Sequence, residues 1–166
     1  MINSNLFIQY HNADKLECFP TYGIDFNSLV SDIILNDTIS NKPWIYTTKK
    51  AVRKSVDSIC FLIVGKTENK IKNYYLWCYF KIKNCSTDDY DTIEVSGIGQ
   101  DLKYPILLNP LPDFDNFKKF CGNFGIGFQN IDNHIFCQTL NSYTIELKED
   151  NVQKSDKEKL KILLQD

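Results

Sequence analysis

The run Ser58–Val64 (SICFLIV) is apolar almost without interruption and stops at Gly65. A short apolar run closed by a turn residue is the signature of a strand covered on both faces rather than one. A polar connection, Lys66–Lys72, then leads into Asn73–Lys83, the longest strand candidate in the chain. A hairpin with so apolar a first strand needs packed layers on both sides of its sheet, and the rest of the chain has to supply them.

The flanking sequence provides short pieces for that purpose. Leu6–Tyr10 reads as a first strand. Ile24, Phe26, Leu29, Val30, Ile33 and Ile34 recur at helical spacing, with Asp25 available as N-cap. Pro43 imposes extension on what precedes it, Trp44–Thr47 reads as a strand, and Thr48 is placed to cap one or two helical turns over Lys49–Lys54. Thr92–Val95 is a further strand, with Ser96–Gly99 expected as a turn. Pro105, Pro110 and Pro112 mark a loop before a helix over Asp113–Cys121, closed by Gly122–Gly125. Ile126–Ile131 reads as a strand, Asp132 as the cap of a helix to Leu140, and Asn151–Leu164 as a charged helix. There is no internal repeat and no linker. The expectation is one α+β domain over residues 1–166, with a strongly bent mixed sheet or pseudo-barrel and short flanking helices. Within it, 1–41 supplies a strand and a helix, 42–147 the core, and 148–166 the charged helix.

Composition narrows the setting. Of 166 residues, 43% are hydrophobic and 24% charged, which is ordinary globular usage. No stretch approaches the roughly 20 apolar residues of a membrane span. The N-terminus lacks a basic segment followed by a long apolar one, so a cytoplasmic protein with no membrane association is expected. Six cysteines are present, two of them (Cys60 and Cys78) inside apolar strand runs, where thiols act as small buried hydrophobes. Reduced thiols are expected.

The net charge of −2 conceals a strong segregation. Residues 42–83 hold ten basic and two acidic side chains, whereas 1–41 and 84–116 each hold a single lysine against five and seven acids. A positive block inside an acidic chain is the pattern of a local anion-binding face. Arg53 is the sole arginine among 19 basic residues. Lysine meets phosphate as a point charge, whereas arginine is the usual bidentate reader of guanine edges, so such a face holds a backbone rather than reads a sequence.

Aromatic residues lie in the same block. Strict alternation along Asn73–Lys83 puts Leu76, Cys78, Phe80 and Ile82 on a core face, and Tyr75, Trp77, Tyr79, Lys81 and Lys83 on the other. Trp44 and Tyr46 alternate likewise, and Lys49, Lys50, Arg53 and Lys54 follow directly. Aromatics beside ammonium groups form a surface on which bases stack while phosphates are neutralised. These eleven residues are the candidate nucleic-acid-binding set.

Other chemistry is poorly supported. With only His11 and His134, no nucleophile–base pair stands out, and His134 lies where a helix-capping role is commoner. Asp88, Asp89, Asp91 and Glu94 read as a solvated turn. Gly97-Ile98-Gly99 and Gly122–Gly127 lack the spacing of phosphate loops. No C-x-x-C occurs, and His134-x-x-Cys137 alone makes no zinc site. No catalytic residue, metal or cofactor is expected.

The run Pro43-Trp44-Ile45-Tyr46-Thr47-Thr48 with a basic helix, an apolar strand and Tyr75–Phe80 resembles the PUA-like superfamily in its EVE-type branch. Pro105–Asn109 and Phe117–Phe128 resemble segments of modification-dependent restriction proteins that join such a reader to an HNH nuclease. The likeness covers residues 43–131. It implies a compact, bent β-barrel in which a modified base, such as 5-methylcytosine, is flipped into an aromatic pocket. Trp44 and Tyr46 match the family's tryptophan strand, with Trp77 and Tyr79 on the adjoining sheet. No nuclease follows, so a stand-alone reader or one working with a separate nuclease or other protein partner is implied. The expected function is non-catalytic nucleic-acid binding, DNA before RNA. The alternative is a protein-interaction module, such as a small bacterial immunity or antitoxin-like protein whose acidic segments meet a basic partner.

Overall fold

The computed structural model describes residues 5–17, 20, 44–87, 91–125 and 127–146. The expected helices over 24–34 and 151–164 lie outside these residues. Among the described residues, six strands form one sheet: β1 (Leu6–Asn12), β2 (Trp44–Thr47), β3 (Ile59–Glu68), β4 (Ile71–Thr87), β5 (Ile93–Leu107) and β6 (Gln129–Asn130), in the order β2-β5-β4-β3-β1-β6. Only β1 and β3 run parallel; the other neighbouring pairs are antiparallel. The short helices are α1 (Ala13–Leu16), α2 (Phe114–Phe120) and α3 (Phe136–Glu146), with 3-10 turns at Lys50–Ser55 and Gly122–Phe124. The result is a mixed α+β fold with a strongly curled, half-barrel sheet.

The apolar hairpin sits at its centre, as β3 and β4. Its connection is tighter than the sequence suggests, because both strands extend until only Asn69 and Lys70 remain between them. Both adopt positive φ (50° and 68°), the backbone that two-residue hairpins require. As the apolar run demands, β3 is covered on both sides. Phe61 and Ile63 enter one core with Leu6, Ile8, Leu76, Phe114, Phe117 and Phe136, roofed by α2 and α3. Cys60, Leu62 and Val64 enter a second core with Trp77, Phe80, Ile82, Val95 and Phe128.

The second core lies inside the curl. It joins Ile45, from the β2 edge, with Phe128, next to the β6 edge. The two edges approach each other closely: a Cβ on Gly127 would lie 3.8 Å from Lys49 Cε. Phe7 and Phe128 stack at 4.8 Å with their planes 7° apart and close this side of the curl.

Two sequence expectations fail in β5. Ser96–Gly99 is not a turn; the strand runs straight through it to Leu107. Gly97 and Gly99 serve there as points of close crossing, since a Cβ on either would overlap β4 backbone, at the Lys81 and Tyr79 carbonyls. Nor is Pro105 in a loop. It lies in the stretch 102–105, which stands opposite Trp77 alone and so needs no regular ladder bond.

The ends of the other elements also shift. Lys49, not Thr48, occupies the N-cap position of the 3-10 turn, and its N–H is taken by Thr47 Oγ1 at 3.1 Å. Asp132 does not cap α3, which begins at Phe136; its carboxylate accepts the Leu6 N–H at 2.8 Å and ties β1 to the C-terminal segment. Of the expected strand 126–131, only Gln129–Asn130 pairs.

Candidate nucleic-acid interface

The irregular pairing at Trp77 decides where the aromatics go. Leu62 pairs with Cys78 and Ile63 with Leu76, which leaves Trp77 as an extra residue in β4. One extra residue reverses the alternation of everything beyond it. Leu76 therefore faces the core under the helices, whereas Trp77, Cys78, Phe80 and Ile82 all face the inside of the curl. Trp77 is 6% exposed and Tyr75 5%. The Tyr75 hydroxyl donates to Glu68 Oε1 at 2.6 Å, and Tyr79 packs on the helix-covered core. The expected exposed stripe Tyr75/Trp77/Tyr79 thus does not exist: an uninterrupted alternation cannot anticipate the bulge. Lys81 and Lys83, in the same strand, are exposed.

On β2 the alternation holds. Ile45 and Thr47 are buried, Tyr46 is 48% exposed, and Trp44 is half-buried. Their rings meet edge to face with centroids 4.9 Å apart. The cross-strand rows identify their neighbours, because directly paired residues share a face. Trp44 stands opposite Ser96, which stands opposite Asn84; Tyr46 stands opposite Glu94, which stands opposite Ser86. Further along, Lys81 pairs with Ile98, which is 73% exposed. Trp44, Tyr46, Ile98 and Lys81 therefore share the outer face of the sheet, the same face that carries the helices further along, over Leu76 and Tyr79. A turn over Ser96–Gly99 would give Ile98 no face; as part of β5 it stands outward and exposed.

The basic turn follows β2 directly. Lys50, Arg53 and Lys54 are exposed, whereas Val52 and Ser55 are buried and fix the turn in place. The turn is fastened to the far end of β4: the Arg53 guanidinium donates to Thr87 Oγ1, and the Asp57 N–H bonds the Ile82 carbonyl at 2.8 Å. Lys83 Nζ meets Asp57 Oδ1 at 2.6 Å, and this hydrogen bond, with the lysine charge, holds the Asp57 carboxyl below its ordinary range. Lys49 is half-buried beside Gly127. The eleven candidates accordingly fall into an outer group (Trp44, Tyr46, Lys81), an end group (Lys50, Arg53, Lys54, Lys83) and a packed group (Tyr75 and Trp77, both buried, and Tyr79 against the helix-covered core), with Lys49 between the sheet edges.

A second cation of the positive block is neutralised at the opposite end of the hairpin. Lys72 Nζ lies 2.6 Å from Asp14 Oδ2, and Asp14 also accepts the N–H and hydroxyl of Thr67. Burial alone would raise the Asp14 carboxyl. The Lys72 hydrogen bond, the two bonds from Thr67 and the lysine charge outweigh it and bring the pKa down to about 2.

The remaining reactive groups serve the fold. His134 Nδ1 accepts the Phe136 N–H at 3.1 Å at the start of α3, and its ring rests against Phe117 and Phe120. All described cysteines are free thiols. Burial pushes the Cys121 thiol up to about 12 and the Cys60 thiol higher still, which leaves both unreactive as thiolates. Among the described residues, no group of three His, Cys, Asp or Glu side chains could hold a metal ion, and no helix is long and apolar enough to cross a membrane.

No protein-family model, no curated protein and no solved structure matches this chain.

Proposed function

We propose that this chain is a non-catalytic nucleic-acid-binding domain that grips the phosphate backbone. One observation carries the reading: exposed Lys50, Arg53 and Lys54 project from a turn fastened to the far end of β4, the strand that also bears exposed Lys81. Cations scattered in sequence thus belong to one continuous piece of the sheet and its end. Most are lysines on exposed backbone-bonded elements, a composition suited to neutralising phosphates rather than reading base edges. The PUA-like resemblance extends the reading to a modified base. Since Trp77 and Tyr75 are taken up inside the curl, the aromatic contact falls to Trp44 and Tyr46.

The test is fluorescence anisotropy with single- and double-stranded DNA and RNA, with and without 5-methylcytosine, at two salt concentrations. The Lys50/Arg53/Lys54→Ala triple variant is expected to weaken binding at least tenfold. Its plot of log affinity against log salt should flatten by about two to three units, as the loss of three phosphate contacts requires. Binding that tightens with the modified base would support the finer reading. A folded wild type that binds nothing at low salt, or a triple variant with unchanged affinity and slope, would overturn the proposal in favour of a protein partner.

A further inference from the structure

We infer that the preferred ligand is single-stranded, with a base stacked on the Tyr46 ring at the outer face of β2. This inference rests on the nucleic-acid reading above and adds the strand state and the residue that contacts the base. Three observations lead to it.

First, Tyr46 presents far more surface than the aromatics of β4, and it stands in a regular strand with its ring braced edge to face by Trp44. A braced ring loses little freedom when a base lands on it. Second, its surroundings are low. Apart from Glu94, which stands directly opposite, the neighbouring outward residues on β5 and β4 are Ser96, Asn84 and Ser86, all shorter than the ring, so a planar base has room beside it. Third, the charges are arranged for a strand that crosses the face. Lys81 lies on the same face and Lys50, Arg53 and Lys54 at its end, whereas Glu94 stands directly opposite Tyr46. The acid disfavours phosphate at the ring itself and favours it at the cations to either side, as a strand with its base turned toward the sheet would place it.

A duplex fits this face poorly. Its bases are stacked on one another and their faces are closed to Tyr46, and neither Tyr46 nor Ile98 belongs to a protruding element that could enter a groove. Nor, among the described residues, does Trp77 offer a flipped base an aromatic slot in the curl, where it is packed among Phe80, Ile82 and Val95. An open sheet face with an exposed ring and flanking ammonium groups suits unpaired bases of any sequence.

The probes are a fluorescein-labelled twelve-nucleotide oligo(dT) and a labelled mixed-sequence duplex of twelve base pairs, titrated at one salt concentration with wild type, Tyr46→Ala and Tyr46→Phe. The single strand is expected to bind at least tenfold more tightly than the duplex. Tyr46→Ala should lose about tenfold for the single strand with an unchanged salt slope, since a stacking contact releases no counterions. Tyr46→Phe, which keeps the ring, should retain wild-type affinity. Equal binding of both probes, or a Tyr46→Ala protein that binds like wild type, would overturn this inference while leaving the backbone-gripping reading in place. A wild type that binds neither probe would overturn both.

Discussion

Strands β2 and β4 carry the same kind of sequence, aromatics at alternate positions with lysines close behind, and the fold treats them in opposite ways. β4 is a central strand with β3 on one side and β5 on the other. Its aromatics meet a core on either face: Trp77 inside the curl, and Tyr74 and Tyr79 under the helices. β2 is a four-residue edge strand that has, among the described residues, β5 alone beside it; its Ile45 and Thr47 side is buried, whereas on the other side Trp44 is half-buried and Tyr46 exposed. An aromatic in a strand is therefore a packing residue or a surface residue according to how many layers surround the strand. The residue itself does not decide it.

That contrast predicts opposite outcomes for like substitutions. The largest effect belongs to Trp77→Ala, which empties the bulge position in the inner core and should destabilise the fold by about 3–5 kcal/mol. Thermal unfolding would measure it; a Trp77→Ala protein that melts like wild type would show that the inner core is not packed around this ring. Asp14→Asn tests an intermediate case, an exposed group held by several bonds at the β3–β4 hairpin end. Because the side chain is partly exposed and screened, the loss should be only about 1 kcal/mol. The pH dependence has a definite sign. The folded-state pKa is depressed from 3.8 to about 2, so the stabilisation is present above about pH 4 and disappears as pH falls toward 2. Wild type and Asp14→Asn should therefore converge in stability at low pH, and a gap that persists at pH 2 would contradict the ion-pair account. The smallest effect belongs to Tyr46→Ala, expected to leave stability within about 0.5 kcal/mol. A loss several times larger would place β2 among the packed strands and erase the contrast.

Much of this fold can be read from the chain. The apolar run at 58–64 is β3, Pro43 marks the start of β2 correctly, and the basic turn forms within a residue of its expected place. Most of what could not be read in the sheet depends on a partner strand. A bulge is a mismatch between two strands, so nothing in Tyr75–Tyr79 alone announces that Trp77 will reverse the alternation. The glycines of β5 carry the composition of a turn, yet they are there because β4 backbone crosses too close for a Cβ. Pro105 likewise has the mark of a loop and sits instead where the ladder is interrupted. For the candidate interface, the sequence identified Tyr46, Lys50, Arg53, Lys54, Lys81 and Lys83 as surface residues, and all are exposed. It grouped them with Tyr75 and Trp77 only because alternation was carried through the bulge.

The position of β1 has a consequence for how the chain is made. β1 lies between β3 and β6, and its first residue is held by Asp132, 126 positions further along. During synthesis this strand leaves the ribosome before either neighbour exists, whereas its parallel partner β3 finds β4 only two residues further along the chain. Such distant pairings are slow to form, and until they do Leu6 and Ile8 stand open to the wrong contacts. The hairpin is thus the natural early structure, and the capture of the N-terminal strand by an already folded sheet is the step at which a nascent chain of this design is most exposed to aggregation.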